Sequence, residues 1–243
     1  MEVEQWSPKT IAGRLYLERG ISIKADTIYK YLYSAYGQPL CKYLKYKRYK
    51  KKKRKNIKSK REIIKDRIFI DERPEFINHR LGFGDFEGDT MGRPRHASQQ
   101  TLVVLRERLS RKIFAVKAPR LKYTIEGFKT LLKGVPIFSL TLDNGVENIR
   151  YKELNIPTYF CHPYSSWEKG SVEQGIGLIR EYIPKKADLK DYSHKEIRII
   201  IEKINNTPME CLGYLTPNEV FEQQTQFLYN SYQLTQGGAL QGG

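Results

Sequence analysis

Apolar and polar positions from residue 81 onward change period several times, and each change marks an element. Alternation over 81–91, 101–105 and 111–117 predicts three antiparallel strands, joined through 91–100, which is long enough to bear function, and 106–110. Residues 124–133 carry apolar side chains at the helical interval, 139–143 return to alternation, 151–154 make a short helical turn and 158–161 a fifth strand. Val172, Ile176 and Ile179 then recur on one helical face, with Ser171 placed to cap that helix, and a further helix is predicted over 193–206. The result is an α/β arrangement, a mixed sheet flanked by helices.

Upstream, Ser7 is a helix cap, Pro8 fits the first helical position, and Ile11 and Leu15 share a face before Gly20 stops the helix. A second helix over 26–33 turns Ile28 and Leu32 inward and Thr27, Lys30 and Tyr31 outward, although Lys24 stands where a small capping residue is expected. Two short helices around a glycine turn make a helix-turn-helix pattern, whose second helix enters the major groove of DNA. Gly237-Gly238 and Gly242-Gly243 predict a disordered tail.

Charge changes the picture at the amino-terminal end. The 243-residue chain has a formal net charge of +16. Its first 60 residues hold 17 Lys and Arg against 4 Asp and Glu, so the excess is local and a polyanion is the natural partner. Lys50, Lys51, Lys52, Lys53, Arg54 and Lys55 form a run with no apolar residue, which reads as a linker lying along phosphates. A solubilising tail is the blander reading. The tyrosines interleaved with the cations, Tyr31 to Tyr49, argue against it. Cys41, Cys161 and Cys211 are far apart, which speaks against a disulfide framework or structural zinc and fits a reducing compartment. No run approaches the length of a membrane span, and a cytoplasmic protein is expected.

The acidic residues are few and clustered. Read with period two, Phe83, Asp85, Glu87 and Asp89 share one strand face, a spacing that calls for a neutralising cation such as magnesium. Asp143 ends the fourth strand in an Asp-Asn-Gly turn. Glu173 falls in the first turn of its helix, where the dipole favours a carboxylate, and Arg180 follows seven positions later on the same face.

Glu87-Gly88-Asp89, Leu109-Ser110-Arg111, Leu142-Asp143-Asn144-Gly145, the run from Pro163 through Trp167 to Glu173, and the run from Leu178 to Lys185 together resemble the catalytic core of insertion-sequence-thirty family transposases. The resemblance runs from about Trp6 to about Phe221. It implies an RNase H-like, integrase-type core, whose strand and helix order the reading above matches. It also implies catalytic and metal-binding roles for Asp89, Asp143 and Glu173, which would hold two Mg2+ ions, replaceable by Mn2+, for cutting transposon ends and joining them to target DNA. Arg180 would hold DNA beside the metals. Double-stranded DNA is then the partner, a homodimer or larger assembly forms on it, and no nucleotide cofactor or membrane is involved. The expected organisation is a helix-turn-helix segment over 1–40, a basic linker over 41–75, the core over 76–224 and a tail over 225–243.

The chain differs from the family pattern in three places. Asp85 stands where a histidine is usual, the 30-position spacing from Asp143 to Glu173 is short, and a preceding helix-turn-helix domain is missing, as in a truncated copy. A DNA-binding relic or regulator without turnover is therefore the alternative. Blander readings also stand for single residues. Glu168 competes with Glu173 but precedes the expected cap, Asp89 is preferred over Glu87 by motif alone, and Trp167 is either a core plug or a base-stacking residue.

Overall fold

The computed structural model describes residues 6–34, 37, 40–41, 44, 64, 66–92, 98–163 and 165–238. Lys50 to Lys55 lie outside the described residues. The chain separates into two compact units, one of Met1–Lys60 with Asn206–Val220 and one of Arg61–Asn205 with Phe221–Gly243.

In the smaller unit, helix α1 (Pro8–Arg19) starts as its sequence demands. Ser7 Oγ accepts from the Thr10 amide at 3.1 Å, Pro8 occupies the first turn, and Gly20 closes the helix at φ 66°. Helix α2 (Ala25–Leu32) begins at Lys24 with no side-chain cap, and Leu32 is its buried residue. Thr27, Lys30 and Tyr31 are exposed on it. The segment 206–220, read from sequence as core, groups instead with this unit. Arg14 makes a two-pronged pair with Glu219 at 2.9 and 2.7 Å, and the Tyr214 ring lies against Gly13 so closely that no Cβ fits there.

Among the described residues, the larger unit has six strands: β1 (Ile68–Phe69), β2 (Asp85–Met91), β3 (Thr101–Glu107), β4 (Ile113–Ala118), β5 (Ser139–Leu142) and β6 (Thr158–Phe160). Their order across the sheet is β1-β6-β5-β2-β3-β4. β2, β3 and β4 are an antiparallel meander, whereas β5 pairs parallel to β2 and β6 parallel to β5. Without the two-residue edge strand, the five strands in this order and sense are the RNase H-like sheet.

A short helix, α3 (Glu75–Asn78), precedes β2. Alternation along the strands sends the two faces of the sheet into separate cores. Val103, Leu105, Phe86, Leu140, Leu142 and Phe160 pack against Ile125 and Phe128 of helix α4 (Thr124–Leu132). Met91, Leu102, Val104 and Ile113 pack on the other side against Val172 and Ile179 of α5 (Gly170–Tyr182) and Ile197, Ile201 and Ile204 of α6 (His194–Asn205). Arg106, fully buried on β3, ties the sheet to α5: its guanidinium donates to the Ser171 carbonyl at 2.7 Å and to Gln174 at 3.1 Å.

Several expectations change. The first strand starts at Asp85, because Arg80 (φ 58°) and Gly84 (φ 90°) adopt left-handed backbone and turn the chain just before it. Phe83 consequently joins the α4-side core instead of the acidic face. Arg111 lies in the β3–β4 turn at φ 65°, where the Glu107 carboxylate gathers the Ser110 amide and hydroxyl, both at 2.5 Å. Helix α5 is entered through a one-turn helix at Ser166–Lys169, so Ser171 lies inside it and caps nothing. The predicted tail is helical up to Gly238, in α7 (Pro217–Gly238), and Phe221 of that helix meets Phe83 and Phe114 edge-on at 5.0 and 5.5 Å.

Candidate active site

The parallel strands β2 and β5 are neighbours, so their carboxyl ends deliver Asp89 and Asp143 to the same side of the sheet. The first turn of α5 brings in Glu173. All three line one pocket of about 290 Å³, together with Asn144, Gly145, Cys161, His162, Pro163, Ser165 and Lys169. Residues 84 positions apart in the chain are thereby gathered by strand order and one helix.

Each aspartate is held at one oxygen and turns the other to the pocket. Asp89 Oδ1 accepts from the Thr90 amide at 2.7 Å. Asp143 Oδ1 accepts from the Gly145 amide at 3.1 Å and from Asn148 Nδ2 at 2.9 Å. Asn144, the residue after Asp143 in the turn, donates to the Cys161 carbonyl at 2.6 Å and so pins the turn to the end of β6. The remaining oxygens, Oδ2 of Asp89 and Oδ2 of Asp143, converge on the ammonium of Lys169 at 3.0 and 3.1 Å.

Electrostatics in the pocket follow from burial. Burial pushes the Asp89 carboxyl above the usual carboxylate range, Lys169 pulls against it and Asp143 adds to it. Burial likewise raises Glu173, against the attraction of Lys169, and raises Glu147, which lies beside the pair. Burial works against the charge of Lys169, but Asp89 and Asp143 prevail and hold it above the ordinary lysine value. Burial pushes the Cys161 thiol up to about 12, so it is protonated at neutral pH.

The acidic ladder of β2 does not act as one group. Asp85 is buried, accepts from Ser139 Oγ at 2.5 Å, and feels the charges of Arg108 and Arg73. Glu87 forms a buried ion pair with Arg108, and its other oxygen accepts from the Val172 amide at 2.8 Å. Glu87 thus supplies from the sheet the cap that Ser171 was expected to give; arginine balances Glu87, whereas burial holds the Asp85 carboxyl above the usual carboxylate range against Ser139 and the two arginines. Asp89 alone of the three lines the pocket.

Glu168 accepts from the His162 amide at 2.7 Å and meets the His162 ring at 3.0 Å, while Asp71 meets its other nitrogen at 2.9 Å. Trp167 is 75% exposed, which removes the core-plug reading. Arg180 donates to the Gly92 carbonyl at 2.6 Å, just beyond β2, and is not among the residues lining the pocket. Lys169, Asn148 and Glu147 were given no role from the sequence. The position of Lys169, four before Glu173, was the one available signal.

Among the described residues, no group of three or more His, Cys, Asp or Glu is gathered closely enough to hold a metal ion as the side chains stand. Two carboxylate oxygens aimed at a single cation are nevertheless the donor chemistry that a hard divalent ion takes.

A sheet of this strand order and sense, flanked by helices, is the RNase H-like, integrase-type core. The chain is 37% identical over 230 residues to the transposase for insertion sequence element IS4351 of Bacteroides fragilis, covering 90% of this chain and 69% of that protein. It is 33% identical over 238 residues to the transposase for IS1086 of Cupriavidus metallidurans, again 90% and 69%, and 31% identical over 240 residues to the InsI transposase of IS30A of Escherichia coli, 90% and 62%. No family model matches. Among solved structures, the catalytic core domain of BIV integrase matches with a TM-score of 0.47 and 18% identity, over 61% of this chain and 99% of that one. The chain belongs to the insertion-sequence transposases of the insertion-sequence-thirty family, and its function is that of a transposase.

Proposed function

We propose that Asp89, Asp143 and Glu173 are the catalytic triad of a divalent-metal-dependent reaction that cuts transposon DNA ends and transfers the cut strands into target DNA. The observation that carries this reading is the convergence of the Asp89 and Asp143 Oδ2 atoms on one cation, with Glu173 in the same pocket. These residues would hold Mg2+, with Mn2+ able to replace it, and the bound ion would supply activation of a water or a DNA 3′-hydroxyl and charge stabilisation at the leaving oxygen.

The chain's own groups prepare that chemistry. Asn148 and the Gly145 amide fix the rotamer of Asp143, and the Thr90 amide fixes Asp89, so each carboxylate presents one defined oxygen to the pocket. Glu87 and Arg106 lock the first turns of α5, on which Glu173 is carried, to the sheet. Arg180 touches DNA in this reading; it stands at the end of β2, where its hydrogen bond to Gly92 restrains it.

DNA is held chiefly by the amino-terminal part: Thr27, Lys30 and Tyr31 on the exposed face of α2, and the cationic run Lys50, Lys51, Lys52, Lys53, Arg54 and Lys55. Joining two ends requires at least a homodimer on DNA. A cytoplasmic, nucleoid-associated location goes with this reading, and among the described residues no helix is long and apolar enough to cross a membrane.

The test is nicking and strand transfer on short duplexes in Mg2+ or Mn2+, comparing the wild type with Asp143→Asn. Activity in the wild type and its loss in the variant is the expected result. Equal activity in both eliminates the triad. Inactivity of both with DNA binding intact would instead favour a DNA-occupying regulator.

A further inference from the structure

Lys169 is buried between the two aspartates, an unusual setting for a lysine. Its side chain is 4% exposed, and its ammonium is paired with Asp89 Oδ2 at 3.0 Å and Asp143 Oδ2 at 3.1 Å. An ammonium withdrawn from water is costly unless it is paired, and two facing carboxylates without a cation are costly too. Each arrangement is tolerable because the other is present. The backbone enforces the match, since Lys169 ends the one-turn helix Ser166–Lys169 and is followed directly by α5, which carries Glu173.

We infer that Lys169 is a positioning residue: an internal counter-cation that keeps Asp89 and Asp143 facing one another before metal arrives and that competes with the metal for them. The inference rests on the proposed metal dependence. It differs from an ordinary structural role in the sign of its effect. If Lys169 merely braced the fold, removing it would loosen the two carboxylates and weaken metal binding. A competing cation predicts the reverse, because a full positive charge about 3 Å from both ligands opposes the entry of a second one.

The experiment measures Mn2+ binding by titration calorimetry, with the full chain and the metal alone, for the wild type, Lys169→Met, Lys169→Gln and Asp143→Asn, alongside melting with and without Mn2+. Both lysine variants are expected to bind Mn2+ about tenfold tighter or more. They should melt lower than the wild type without metal and gain more from Mn2+. The glutamine variant keeps a polar side chain and preserves the test if the methionine variant does not fold. Unchanged or weaker Mn2+ binding in the folded lysine variants, with binding lost in Asp143→Asn, overturns the role of Lys169 and leaves the metal reading in place. Absence of Mn2+ binding in the wild type and every variant overturns the metal reading and this inference with it.

Discussion

Glu87 and Asp89 stand two positions apart on the same face of β2, yet their surroundings give them opposite work. Asp89 turns one oxygen to the pocket, whereas Glu87 is enclosed, paired with Arg108 and bonded to the Val172 amide. Replacing Glu87 by alanine leaves a buried guanidinium and an unsatisfied helix amide, and Glu87→Ala is expected to cost about 3–5 kcal/mol in urea unfolding. A pH effect belongs to His162, whose hydrogen bond to Glu168, aided by Asp71, raises its pKa above the ordinary histidine value. The protonated ring is the one that both carboxylates stabilise, so its contribution is complete below the unfolded value of about 6.5 and is lost as pH rises through the higher folded value. Thermal melts between pH 5 and 9 should therefore show the wild type losing an advantage over His162→Gln as the solution becomes alkaline.

At the scale of elements, the site depends on close approach between the sheet and its helices. Gly88 sits between the two acidic residues on the opposite face of β2, and a Cβ there would lie 2.7 Å from Leu142 Cδ2 and 2.9 Å from the Phe128 ring. Gly88→Ala is expected to destabilise by about 1–3 kcal/mol by denaturant unfolding, and to lower activity by displacing β2 from β5. Helix α7 supplies Phe221 to the α4-side core, with the Lys112 ammonium 4.6 Å over the ring. That helix is not among the elements read from the sequence, which end with the helix over 193–206: residues 225–238 carry no charge to mark a solvent face, and the glycines at and beyond their end pointed to a disordered tail. The short strand β1 was missed for a related reason, since two residues carry no period and only pairing to β6 makes them a strand.

For the whole molecule, the charge asymmetry gives a separate prediction. Neutralising Lys50 to Lys55 should weaken binding to all DNA sequences alike and flatten the dependence of log K on log salt, by up to about 0.9 for each phosphate that is no longer neutralised. An unaltered slope in fluorescence anisotropy would remove that run from the interface.

The sequence by itself determined the order of strands and helices in the core, because alternation and helical spacing are local properties that each segment carries, and the resemblance of its ordered motifs nominated Asp89, Asp143 and Glu173, which the fold gathers in one pocket. It could not decide which acids of β2 would be neutralised by arginine, nor that Lys169 would stand between the two aspartates. Those outcomes depend on residues brought together from β2, the β3–β4 turn, β5 and the entry to α5, where burial turns the charge of each into a condition on the others.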